Sequence, residues 1–363
     1  MNSTAPTVSS PQPFRGGVAW FRHLLGVVAG VLVLAGCSRS PESATAPAET
    51  SGTTNLHRLT FINDWYPEAE HGGYFAAKLK GYWREQGLDV TLVAGGPNPD
   101  IEKKVALDEN ALGIVRGDAV FIAVERGLPV LAVNSYFQHD PQGIMVREDS
   151  PVRSFADLED RDVAMQIGNT WFSYLQGKYG LKKTRARAVT GSVANFVADP
   201  DWITQAYPTC EPYYAGKAGV KSRMLQISDS GFDPYRVIIA NRRLVEAHPE
   251  IVKAFSIGAY RGWVEYCREP LPIHEHILSI SPSMEPEGLK FSYRKMRELR
   301  LIEGDPAKGE TLGDVKPARW EALHQLLLDH RLIKGPMDRR QVYTDAFSPS
   351  KLGVNPALPP PAL

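Results

Sequence analysis

The chain has 363 residues, 41 of them Lys or Arg and 41 Asp or Glu, so its formal net charge is zero while 43% of its residues are hydrophobic. That balance excludes a broad electrostatic footprint for nucleic acid or an anionic membrane surface. The length is enough for two domains, and three cysteines are too few for a disulfide framework.

Arg15 and Arg22 form a basic N-terminal region, followed by a short apolar run from Gly26 to Leu34 and then Leu34-Ala35-Gly36-Cys37. The run is shorter than the roughly 20 residues that span a bilayer and fits the core of a signal peptide. Leu34–Cys37 resembles a bacterial lipobox, which implies a signal peptide over residues 1–36 and a lipid anchor on Cys37. The Ser-, Thr-, Ala-, Pro- and Glu-rich stretch that follows, residues 37–57, reads as a flexible tether. Removing residues 1–36 takes away two arginines and no acids, leaving 39 basic and 41 acidic residues and a net charge of −2.

Strand and helix signals then alternate as a doubly wound sheet requires. Leu59-Thr60-Phe61-Ile62 reads as a strand, Asp64 to Gly73 as a polar-aromatic loop, and Gly72 to about Gln86 as one amphipathic helix. Pro67 biases Tyr66 away from helical dihedrals, so the chain must turn between strand and helix. Further strands are expected at Asp89–Val93, Ala111–Val115, Val130–Asn134, Gly143–Val146, Val163–Ile167 and Tyr235–Asn241. Helices are expected at Ile101–Leu107, Ala119–Arg126, Ser154–Leu158 and Trp171–Tyr179, with long closing helices after Arg242.

The strand, loop and helix around Asp64–Phe75, the strand after Gly87, and Gln205-Ala206-Tyr207-Pro208-Thr209-Cys210-Glu211-Pro212 resemble solute-binding proteins of the alkanesulfonate/nitrate/taurine-type family. Within that family the likeness is greatest to the binders of thiamine-pyrimidine precursors. The resemblance covers roughly residues 58 to 300 and implies an α/β, two-lobed, type II periplasmic-binding-protein-like fold, with a cleft and a hinge between two doubly wound domains. It implies a first lobe over residues 58–145, a second over 146–236, and a return with closing helices over 237–347. An irregular tail is expected over 348–363. Cys210 and Cys267 fall in different lobes on this layout, where a bridge would lock the hinge.

The expected cleft walls are loops at strand ends, and the candidate ligand-binding residues are Asp64, Trp65, Glu70, His71, Asp118, Asn169, Thr170, Trp171, Tyr207 and Glu211. In the family the glutamate of the Tyr207–Pro212 loop meets an aminopyrimidine edge, and the tyrosine packs on the ring. The physics agrees: stacking a base on an aromatic ring is worth roughly 1–3 kcal/mol, and a carboxylate accepting from an amine makes a charge-assisted bond. These loops hold Arg116 as their cation beside Glu68, Glu70 and Glu211, a balance that disfavours an anionic ligand. Bland roles compete at several positions: Trp83 as core, His71 as a cap, Asp118 as an N-cap and Glu211 as a helix starter.

The expected function is therefore the extracytoplasmic component of an ABC importer, acting as a monomer with a permease and an ATPase, without cofactor, metal or catalysis. The ligand expected is a formylaminopyrimidine or hydroxymethylpyrimidine. Alternatives are another small solute (a sulfonate, taurine, nitrate or a flavin-like ring) and, from another class, a thiamine pyrimidine synthase-like enzyme, which uses pyridoxal phosphate, its own histidine and a cysteine-rich motif. His274-Glu275-His276 is a weak metal signal, because on a helix its two imidazoles face different ways. Cys37→Ser is expected to abolish lipidation with the fold unchanged, which labelling with a radioactive fatty acid in the bacterial host would read. Absence of label from the wild-type chain refutes the anchor.

Overall fold

The computed structural model describes residues 56–363 except 98, 190, 355 and 356. The signal-peptide and lipid-anchor expectations, Cys37 included, lie outside the described residues.

Among the described residues, ten strands form two five-stranded sheets. The first takes β1 (His57–Ile62), β2 (Leu88–Val93), β3 (Ala111–Arg116), β4 (Val130–Phe137) and β10 (Arg236–Asn241), in the order β2-β1-β3-β10-β4. The second takes β5 (Gly143–Arg147), β6 (Asp162–Met165), β7 (Arg185–Ala188), β8 (Ile203–Ala206) and β9 (Ser222–Gln226), in the order β7-β6-β8-β5-β9. In each, neighbouring strands are parallel except around one antiparallel strand, β10 in the first sheet and β5 in the second. The apolar runs of β3, β4 and β10 are covered on both faces by helices, so they are buried almost throughout. Gly143–Met145, expected in the first lobe, pairs instead with β8 and β9 of the second.

The helix expected from Gly72 to Gln86 is two helices, Gly72–Leu79 and Tyr82–Glu85, because Gly81 takes a left-handed conformation (φ 74°) and breaks the ladder. The first of them lies unusually close to the long helix Pro249–Arg268. A methyl group at Gly72 would overlap the Tyr266 ring, one at Gly73 the Trp263 ring, and one at Gly262 the backbone of Gly73. Three glycines thus let the helix that follows the Asp64–His71 loop seat directly on the closing helix, fixing that loop. The tail expected to be irregular begins with a short helix, Pro349–Leu352. It is then held to the first lobe by Arg297 Nη2 donating to Pro359 O (2.7 Å).

Two segments, residues 138–142 and 227–235, cross between the sheets. One ion cluster ties them together. His139, on the first crossing, lies 2.6 Å through Nδ1 from Asp233 of the second crossing and 2.8 Å through Nε2 from Glu310. Arg319 approaches both carboxylates at 3.5 Å and donates to the carbonyls of Gln138 and Asp233. With a carboxylate at each ring nitrogen, the favoured imidazole is doubly protonated, and the bond to Asp233 outweighs burial to raise its pKa above the ordinary 6.5. A raised folded-state pKa adds stability that is complete below the unfolded value and is lost as pH rises through the folded one. Thermal melts between about pH 6 and pH 9 should therefore show wild-type Tm falling more steeply than that of His139→Gln. Parallel curves would refute the clamp.

Candidate ligand-binding cleft

A cleft of about 690 Å³ opens between the sheets. Its walls are the carboxyl ends of β1, β3, β6, β7 and β8 with the loops that follow them, where parallel α/β sheets leave room for ligands. Asp64, Trp65, Glu68 and Arg116 come from the first lobe; Asn169, Gln205, Tyr207 and Glu211 come from the second.

The floor carries an alternating chain of buried charges. Arg116 and Arg236 sit directly opposite each other on antiparallel β3 and β10, a pairing that is unfavourable unless neutralised. Asp140, from the first crossing, lies 3.8 Å from Arg116 Nε and 3.3 Å from Arg236 Nε. Asp118 takes the outer side of Arg116 with two bonds of 3.0 and 3.2 Å, and Asp64 takes the outer side of Arg236 at 3.0 Å. His71, fully buried, lies with Nε2 2.9 Å from Asp64 Oδ1. Burial alone would raise the Asp64 pKa, yet Arg236 and the His71 bond prevail and hold it below the usual carboxylate value. Asp64 is thus ionised and His71 Nε2–H donates to it.

Beside this paired chain stand three carboxyls without a cation of their own. Burial, then Glu70, Asp64 and Glu211, push Glu68 well above the ordinary glutamate pKa. Burial also raises Glu70, against the opposing pull of the Thr209 hydroxyl and the nearby His71. Glu211 is pushed up to about 8 by burial, although its Oε2 accepts a 2.8 Å bond from the Tyr207 N–H. The shift favours the protonated carboxyl near neutral pH, where the sequence suggests a full negative charge.

The structure sorts the candidates. Asp64, Trp65, Asn169, Tyr207 and Glu211 line the cleft; Glu70, His71, Asp118, Thr170 and Trp171 do not. Trp171 is fully buried in a hydrophobic core with its ring edge-on to Phe172, because the helix Thr170–Tyr179 turns that face inward. Asp118 is spent on Arg116 and His71 on Asp64, so both hold the floor from behind. Sequence reasoning passed over Arg236, Gln142 and Tyr214 and named Gln205 only as part of a wall loop; all four are in the lining. Arg236 had one usable signal, a charge opening an otherwise apolar strand.

The lobes also touch across the cleft. Arg116 Nη1 donates to Asn169 Oδ1 (2.8 Å), and Asn169 Nδ2 donates to Gln205 Oε1 (3.2 Å). Trp65 reaches over to Gly191, whose added Cβ would lie 3.4 Å from the indole. Ser292 Oγ, on the closing helix Pro286–Glu298, donates to Thr209 O (2.6 Å) beside Glu211. Cys210, in the lining, and the buried Cys267 are both free thiols.

Residues 68–271 match the family model described as NMT1/THI5 like. The chain is 21% identical to the riboflavin-binding protein RibY of Chloroflexus aurantiacus, covering 88% of this chain and 95% of that one. It is 24% identical to the formylaminopyrimidine-binding protein of Halalkalibacterium halodurans, covering 90% and 97%. A 4-amino-5-hydroxymethyl-2-methylpyrimidine phosphate synthase of Legionella pneumophila is similar too, at 21% identity over 80% of this chain and 92% of its own. Among solved structures, the alkanesulfonate-binding protein SsuA of Xanthomonas axonopodis pv. citri bound to MOPS shares the fold, with a TM-score of 0.60, 15% identity, and 80% and 99% coverage.

Arg236→Gln would leave Asp64 and Asp140 without their shared cation in a buried site. Breaking such a pair costs about 3–5 kcal/mol, so chemical denaturation should show a loss of that size. A loss below about 1 kcal/mol, the scale of an exposed ion pair, would mean the floor is not held by this charge chain.

Proposed function

The chain belongs to the NMT1/THI5-like family, and on that premise we propose that it is a solute-binding protein of an ABC importer, taking up a small heterocycle outside the cytoplasm. In this reading lipid on Cys37 holds it at the membrane, and a permease and an ATPase receive its cargo. The observation that carries the reading is the cleft itself. Rings from both lobes (Trp65 and Tyr207) and a carboxyl from each (Glu68 and Glu211) face one space, while the two arginines in its wall are already paired with aspartates. Flat faces with hydrogen-bond acceptors at their edges suit an amino-substituted ring. A cleft whose lining arginines, among the described residues, are both paired with aspartates does not suit a sulfonate.

A thiamine-pyrimidine precursor fits this chemistry, and a similar protein is named for binding formylaminopyrimidine. The cleft volume favours a second reading as well: about 690 Å³ is ample for one pyrimidine and accommodates a drug-sized ring system such as a flavin. A synthase-like reaction has less support. The buried His71 is held by Asp64 behind the cleft wall, and the chain's three cysteines form no cluster in the sequence.

Glu211→Leu, which removes the acceptor while keeping bulk, should weaken binding of formylaminopyrimidine by roughly 0.5–1.5 kcal/mol, the net worth of a hydrogen bond between neutral groups. Calorimetry on wild type and variant, with formylaminopyrimidine, riboflavin and an alkanesulfonate in parallel, decides among the ligand classes. Sulfonate binding that Glu211→Leu strengthens, with neither heterocycle bound, would overturn the proposal.

A further inference from the structure

Glu68 is the least explained acidic side chain in the cleft. It is only 7% exposed, lines the cavity, and makes no side-chain hydrogen bond or ion pair among the described residues. It is not spent as a helix cap either, although it precedes the short helix Ala69–His71. A buried carboxyl without a partner is costly, and such groups persist where a ligand completes them.

The charged and titratable groups acting on Glu68 are identifiable from each element around it. Its own loop supplies Asp64 and Glu70; the second lobe supplies Glu211; β10 supplies Arg236. Three of these four are acids, and the one cation is already shared by Asp64 and Asp140. Across the whole cleft lining, five acids (Asp64, Glu68, Asp100, Glu102 and Glu211) face two bases (Arg116 and Arg236). Arg116 is likewise engaged by Asp118, Asn169 and Gln142. Aromatic faces that attract cations, those of Trp65, Tyr66, Tyr207 and Tyr214, complete the walls.

We propose that the cargo is an organic cation, an aromatic ring bearing a protonated nitrogen that docks between Glu68 of the first lobe and Glu211 of the second. The inference rests on the solute-binding reading above and narrows it: the ligand's charge, more than its ring, satisfies the acidic side of the cleft. Because the two carboxyls belong to different lobes, the cation also bridges the cleft and favours its closed form by binding it better than the open one.

A matched pair of probes isolates the charge. 4-Amino-5-(aminomethyl)-2-methylpyrimidine carries a protonated side-chain amine at neutral pH; its N-formyl derivative has the same ring and no charge there. Calorimetry on wild type should show the amine binding at least about tenfold more tightly, the range of a charge-assisted hydrogen bond. Glu68→Gln should erase most of that preference by weakening the amine far more than the formyl compound, since a neutral bond is worth less. The variant should fold, because the substitution replaces a buried carboxyl that has no partner among the described residues with a neutral amide of the same shape, and a Tm at or above wild type checks this. If the formyl compound binds as tightly as the amine or more so, the cation inference fails while the solute-binding reading stands. If neither compound binds folded protein, the pyrimidine form of that reading fails, and this inference with it.

Discussion

Two arginines placed face to face govern this molecule. Arg116 ends β3 and Arg236 begins β10, opposite each other at the cleft end of the first sheet. Neither can be buried there without compensation, and the compensation organises the surroundings. Asp140 must lie between them, which brings the first interlobe crossing onto the sheet. Asp118 and Asp64 must flank them, which fixes the start of one helix and the loop that carries Trp65 and Glu68. His71 then closes the chain by holding Asp64 from behind.

The same arrangement decides what the cleft can attract. With both guanidiniums engaged, the wall has hydrogen-bond acceptors and ring faces to spare and few free donors. Structural neighbours with this fold include a sulfonate-binding protein, so the architecture does not select a charge class by itself. The side chains at the strand ends do. Here the excess is acidic, and burial raises the pKa values of Glu68, Glu70 and Glu211.

The contacts between the lobes are both polar and aromatic, with Tyr213 packed on Phe291 and Tyr174 on His330. Arg116 with Asn169, and Ser292 with Thr209, join the lobes through single hydrogen bonds, while the His139 cluster secures the crossings. Each such hydrogen bond contributes about 1 kcal/mol, beside the ring packing between the lobes.

Much of the fold was legible in the sequence because local rules and tertiary structure agree. The apolar runs at Leu59–Ile62, Ala111–Val115 and Val237–Ile239 form strands, and the Gly72–Leu79 helix starts where the loop ends. Strands β7, β8 and β9 were missed: β7 is exposed along its length and β9 only half-buried, so neither shows apolar alternation, and β8 has only four residues. Within the cleft, the loops carrying Trp65, Asn169, Tyr207 and Glu211 could be named because strand ends and turns mark them. Which side chains point inward could not. Trp171 and His71 have the right chemistry but are turned into the interior by helix phase and by the pull of Asp64. Arg236 became part of the site only when an antiparallel return placed it opposite Arg116, more than a hundred residues away in the chain. Sequence by itself determined the element types and the supply of rings and carboxyls, since these depend on neighbours along the chain. Tertiary structure alone decided which charges cancel and which stay free for a ligand, because charge pairing depends on distances across strands and lobes that no local pattern encodes.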